Sequence, residues 1–284
     1  MLQLWGAKRL AARGFTARME PMKKLGSWRV AGLLLVAIVV LAALLAPWIT
    51  RFGPNDLHLY DVLRAPGAIF WLGTDGLGRD VFTRLLFGAR TSLSVGLVAV
   101  GLATGLGILV GVAAGLGPKW LDAVLMRFTD VMLCFPTIFL ILAVIAFLSP
   151  SLLNVMIVIG ATGWMGIARL VRAEVLTLRG RAFVDAAKLG GVSWVRLAWK
   201  HILPNALPPV MTSMSLGLAG AILTEAGLSY LGLGVQPPTA SWGAMLTEGK
   251  AVIEAAWWLI TFPGLAIIMA VLGFTLLAEG GDRR

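Results

Sequence analysis

The 284-residue chain carries 24 Lys and Arg against 14 Asp and Glu, a net charge of +10, yet only 13% of it is charged and 58% is apolar, with mean hydropathy +0.88. Soluble domains carry about 25% charged residues, so a water-soluble globular fold is excluded, and the long apolar runs point to membrane helices rather than a barrel. The basic excess sits beside those runs, which reads as loops facing anionic lipid rather than as a nucleic-acid surface.

Residues 1–29 form a basic tail with seven Lys and Arg and one acid. The uncharged run 30–49 follows. It is too long for a signal-peptide core and lacks a small-x-small cleavage site after it, so it is expected to be an uncleaved first transmembrane span. Segment 50–91 is an extracytoplasmic loop whose five arginines are offset by Asp56, Asp61, Asp75 and Asp80. Within it Asp75, Arg79, Asp80 and Arg84 alternate in sign, with Asp75–Arg79 and Asp80–Arg84 at i,i+4 spacing. The preferred reading is a self-neutralised interfacial helix; the other is a set of outer-face contacts for a partner.

Residues 92–279 form the transmembrane core, with spans at 92–116, 129–148, 152–171, 208–233 and 256–278, and 280–284 are a short tail. The second span contains small-xxx-small pairs at 101/105, 107/111 and 111/115, which let helix backbones approach. Ser149-Pro150-Ser151 is a tight hairpin between the third and fourth spans. The expected fold is therefore all-α, with about six transmembrane helices. Segments 1–29, 117–128, 169–207 and 279–284 hold 18 of the 24 basic residues, which orients both termini inside. The lone Cys134 makes no intrachain disulfide, and His58 and His201 have no metal-ligand spacing, so no metal is expected. No GxxxxGK[ST], HExxH or GxSxG occurs, so neither a nucleotide site nor catalytic machinery is expected on this chain.

The inner loop 173–205 stands out. Phe183, Ala186, Ala187 and Gly190 recur at helical spacing, as do Trp194, Leu197, Ala198 and Ile202. Gly190-Gly191 marks a turn between them and Ser193 a helix cap. Pro204, Pro208 and Pro209 are expected to stop the second helix. Helix, glycine turn, helix across the inner membrane surface fits two readings: an amphipathic segment resting in headgroups, or a docking loop for a partner. Further on, Glu225 is the clearest acid within an apolar span, with Thr224, Ser229 and Tyr230 nearby. Such a carboxylate can line a path or bond to a neighbouring helix; both readings stand. Glu254, Trp257 and Trp258 read as an interfacial belt.

Asp185-Ala186-Ala187-x-x-x-Gly191, followed by Ile202-Leu203-Pro204, resembles the EAA loop of the membrane subunits of binding-protein-dependent ABC importers, with Asp in place of Glu at 185. "LGTDGLGRDVFTRLLFGARTSL" (Leu72–Leu93), "ILTEAGLSYLGLGVQPPTASWG" (Ile222–Gly243) and "WWLITFPGLAII" (Trp257–Ile268) resemble signatures of the dipeptide/oligopeptide/nickel branch. The C-terminal "TLLAEGGDRR" departs from that branch's pattern. The resemblance spans 72–278. It implies a permease subunit of the bacterial or archaeal inner membrane that pairs with a homologous permease. Two cytoplasmic ATPases, which carry the ATP and Mg, would bind beneath, and an extracytoplasmic solute-binding protein would deliver cargo above. Phe183, Asp185, Ala186, Ala187 and Gly191 would form the coupling helix that docks on an ATPase, with Leu203 and Pro204 fixing its link to span five. Glu225, Ser229 and Tyr230 would be candidates for the path. Di- or oligopeptides are the first expectation for cargo, and nickel, glutathione or glycosides the alternatives. A secondary transporter would need several ionisable groups within its spans, and only Glu225 clearly qualifies.

Overall fold

The computed structural model describes residues 25–149 and 151–279. Most of the basic tail, the C-terminal tail and Pro150 of the expected hairpin lie outside the described residues. The helices are α1 (Leu25–Ile49), α2 (Val81–Leu116), α3 (Lys119–Leu133), α4 (Thr137–Ile145), α5 (Leu152–Leu178), α6 (Ala182–Leu189), α7 (Trp194–Leu197), α8 (Leu203–Tyr230), α9 (Trp242–Lys250) and α10 (Trp258–Glu279). Among the described residues there is no β-strand, only an isolated bridge between Thr74 and Asp80. Five helical stretches are long and apolar enough to cross a bilayer, and α3 with α4 form a sixth only as a bent pair.

Helix α2 starts where Asp80 caps it. The carboxylate accepts from the Thr83 backbone N–H at 2.9 Å and from its hydroxyl at 2.6 Å. At about 1.5 Å per residue, its 36 residues far exceed a hydrocarbon core of about 30 Å. Helix α5 is the main partner of α2. Gly107, Gly111 and Gly115 bring the two backbones together against Ile167, Ala168, Val171 and Val175. Helix α10 packs between α1 and α8, and Trp242, Phe274 and Ile222 are buried where these helices meet.

Three expectations are corrected. The third span is not one straight helix over 129–148: α3 and α4 meet at 84°. Pro136 explains the break, since it has no N–H for a helix interior and pushes the preceding residue out of the helical region. Pro204, Pro208 and Pro209 do not stop a helix. The chain runs helical from Trp194 to Tyr230, through a π-helical turn at Ala198–Ile202. That turn re-registers the ladder just before Pro204, and Asn205 donates its side-chain N–H to the His201 carbonyl. Ser193 occupies the cap position of α7, but its hydroxyl makes no capping bond.

Candidate functional site

Helix α6 and the start of α7 form one end of the molecule. Gly191, at φ +75°, ends α6: its N–H reaches the Lys188 carbonyl and the Val192 N–H reaches the Ala187 carbonyl, the Schellman pattern that favours glycine. Val184 is fully buried among Val175, Leu197, Ile202 and Val210, and Ala187 and Val192 pack beside it. One face of α6 is thus clamped to α5 and α8, which leaves the other bare. Phe183, Asp185, Ala186 and Gly191 are exposed there, while Ala187 is half-buried. Asp185 meets Lys188 at 3.1 Å on the surface. Leu203 is buried in the core and Pro204 is exposed. The structure therefore brings Phe183, Asp185, Ala186 and Gly191 onto one surface, and turns Ala187 and Leu203 toward the scaffold.

Sequence reasoning missed two residues here and misplaced a third. Val184 is the anchor. Leu189, 91% exposed, and Trp194, set in the sequence on one apolar face with Leu197 and Ile202 but 68% exposed, flank the glycine turn as bare apolar groups. Their position either side of Gly190-Gly191 was the available signal. Two ion pairs brace the scaffold behind them, Arg172 with Asp122 and Arg169 with Asp130, and Arg179 donates to the Gly115 carbonyl at 2.9 Å.

At the opposite end, Asp75, Arg79, Asp80 and Arg84 are all buried. Their expected geometry is corrected. Residues 75–79 form a tight turn rather than a helix, Asp80 is spent on capping α2, and Arg84 does not pair with it. Instead Arg79 reaches Asp75 at 2.6 Å and Glu248 at 2.9 Å, and Arg84 reaches Glu248 at 3.0 Å with Asp75 at 3.4 Å. Glu248, on α9, was not anticipated; its 164-residue separation from Arg84 leaves no local trace. Two cations and two anions thus close a clasp between α9, the first turn of α2 and the segment before it. Trp258 adds an indole bond to the Thr74 carbonyl at 3.1 Å.

Glu225 lies below this clasp and is fully buried. One carboxyl oxygen accepts from Ser229 at 2.8 Å and Ser241 at 2.9 Å, and the other from Ser92 at 3.0 Å. Tyr230 is not part of the cluster; its exposed ring lies under Lys250. The geometry matches the helix-bonding reading of Glu225: its oxygens are occupied by α2, α8 and the cap of α9. Among the described residues no group of His, Cys, Asp and Glu could hold a metal ion.

A family model described as "Binding-protein-dependent transport system inner membrane component" matches residues 107–283. Similar proteins include a dipeptide transport system permease of Alkalihalophilus pseudofirmus, 41% identical over 88% of this chain and 83% of that one. A di/tripeptide transport system permease of Pseudomonas aeruginosa is 40% identical over 88% and 84%. A probable D,D-dipeptide transport system permease of Escherichia coli is 38% identical over 93% and 89%. The fold is similar to a chain of the inward-facing MetNI methionine ABC transporter, with TM-score 0.58 at 18% identity, covering 70% of this chain and 97% of that one.

Proposed function

We propose, since the chain belongs to the binding-protein-dependent transport system inner membrane components, that it is the permease subunit of an ABC importer that carries short peptides. The observation that carries the cargo class is the relatives named for dipeptides and di/tripeptides, which align with most of the chain at about two residues in five. With a second, homologous permease it would enclose the path. A solute-binding protein would deliver the peptide, and two ATPase subunits would carry the ATP and Mg. The basic-residue distribution supports both termini inside, which puts α6 in the cytoplasm and the clasp outside.

On this reading the bare face of α6 is the coupling surface. Phe183, Asp185, Ala186 and Gly191 meet a groove on the ATPase, and Leu189 and Trp194 extend the contact. Val184, Ala187 and Leu203 transmit its movement into α5 and α8 as a rigid body, the usual carrier of alternating access. The exposed Ala186 is a cleaner probe than the half-buried Ala187. Tagged wild-type protein purified in mild detergent should bring down a second permease and Walker-motif ATPases, identified by mass spectrometry. Ala186→Glu should keep the permease partner and lose the ATPases, and Ala186→Ser should keep both. Recovery of the chain alone from wild type, with peptide uptake into vesicles that needs no ATP, would overturn the reading in favour of a secondary transporter.

A further inference from the structure

At the clasp end three exposed cations lie over aromatic rings: Arg51 over Trp71 at 5.3 Å, Arg90 over Phe87 at 5.7 Å and Lys250 over Tyr230 at 4.8 Å. None of the three forms an ion pair among the described residues, whereas Arg64, Arg79 and Arg84 at the same end all do. Nearby Asp56 is exposed too, but its carboxylate turns back to accept the Gly53 N–H.

Arg90 differs from the other two because it lines a recess of about 310 Å³, walled by Pro54, Asn55, Thr91, Pro238 and Thr239. The recess at Arg51 holds only about 10 Å³, no more than a water. Small-molecule sites run from about 300 to 1,000 Å³, so the Arg90 recess suits one or two side chains rather than an extended peptide. The Asn55 amide N–H turns to the Pro238 and Pro54 carbonyls and the Thr91 hydroxyl to the Phe87 carbonyl. The groups facing an incoming carboxylate are therefore the ring-steadied Arg90 guanidinium and the Thr239 hydroxyl, a charged donor with a neutral one beside it. The walls come from two loops and the third turn of α2, outside the apolar run that begins at residue 92, so the recess opens beyond the membrane's hydrocarbon.

We propose that this recess receives an acidic side chain of the solute-binding protein, with Arg90 as its ion-pair partner; this rests on the importer reading, which places the clasp end outside. An exposed charge at the rim of an interface acts chiefly on association rate and salt dependence. The test uses the assembled transporter in nanodiscs of zwitterionic lipid and of anionic lipid, titrated with the binding protein that co-purifies with it, with ATPase stimulation as readout. Arg90→Glu should raise the half-saturating concentration of binding protein about tenfold and flatten its salt dependence in both lipids. Arg90→Lys keeps the charge but not the planar, ring-stacked fork, and should fall between wild type and Arg90→Glu. Thr239→Asp, which puts a carboxylate into the recess without touching Arg90, should mimic Arg90→Glu. Unchanged half-saturation in both acidic variants overturns the proposal. A shift confined to anionic lipid assigns the recess to headgroups, and slower peptide uptake at unchanged half-saturation assigns it to cargo; each also overturns it. A wild-type complex that no binding protein stimulates overturns the importer reading itself and the docking proposal with it.

Discussion

Three serine hydroxyls converge on Glu225, and their other bonds fix the direction of each. The Ser92 oxygen accepts the Trp242 N–H, that of Ser229 accepts the Val235 N–H, and that of Ser241 accepts the Ala244 N–H. A backbone N–H can only donate, so each hydroxyl hydrogen is free to point at the carboxyl group. Through the serines, one side chain satisfies three backbone donors around the start of α9 that burial would otherwise leave costly. Glu225→Gln keeps an acceptor for Ser229 and Ser241, and should lower stability by about 1 kcal/mol with peptide uptake retained. Glu225→Ala removes the acceptor from all three hydroxyls at about 1–3 kcal/mol each, and should lose most folded protein. Thermal unfolding in detergent beside uptake in vesicles separates the outcomes. A Gln variant with wild-type melting and no uptake would mean that the carboxylate meets cargo. An acid in an apolar span and Ser229 one turn beyond it were visible in the sequence; Ser92 and Ser241 were not, since they stand 133 and 16 residues away.

At the scale of helices, spacing says that a small face exists but not what lies against it. The pairs 101/105, 107/111 and 111/115 look alike in the sequence, and the structure uses them differently. A Cβ on Gly111 would stand 2.6 Å from the Ala168 carbonyl oxygen, and one on Gly115 would stand 2.5 Å from Val175 Cγ1. Nothing lies within 4 Å of a Cβ on Gly101 or Gly105. Gly111→Ala should therefore force α2 and α5 apart and cost about 1–3 kcal/mol. Gly105→Ala should be neutral or stabilising by up to about 1 kcal/mol, because the helix gains a better former without a clash. Unfolding of the two variants in detergent should order them on either side of wild type; equal losses would mean that α2 does not pack on α5 through this face. The same limit explains the third span. Hydropathy averages over Pro136 and reports one apolar run, whereas the missing N–H at that residue decides that there are two helices. The glycine turn of α6 was legible because the Schellman ending is local, held by bonds that reach back no more than five residues.

Across the whole molecule both ends leave large apolar groups bare, Leu189 and Trp194 at the end of α6 and Leu59 and Tyr60 at the other. Only at the latter does a charge clasp, with Trp242 and Trp258 buried beside it, join segments far apart in the chain. The span count and the loop motifs were readable because each is a local pattern. The clasp was only half readable: charge alternation in residues 75–84 suggested partners within that stretch, and Arg79 does keep Asp75, but the fold adds Glu248 to both arginines and leaves Asp80 without one among the described residues. Arg84 is almost wholly buried, and removing Glu248 leaves Arg79 and Arg84 to share Asp75, one anion for two cations, at a cost of up to about 3–5 kcal/mol, that of a broken buried pair. Glu248→Ala should therefore destabilise by that order and loosen α9, so that protease cleavage or amide exchange rises across 236–250 before it rises in α5. Replacing the pair together, Glu248→Leu with Arg84→Met, should recover part of the loss, because apolar groups of similar volume can stand in for a buried ion pair. If the single and double variants melt alike, the clasp contributes through packing rather than charge, and α9 is held by Glu225 and the Trp242 indole, which bonds to the Leu85 carbonyl at 3.0 Å.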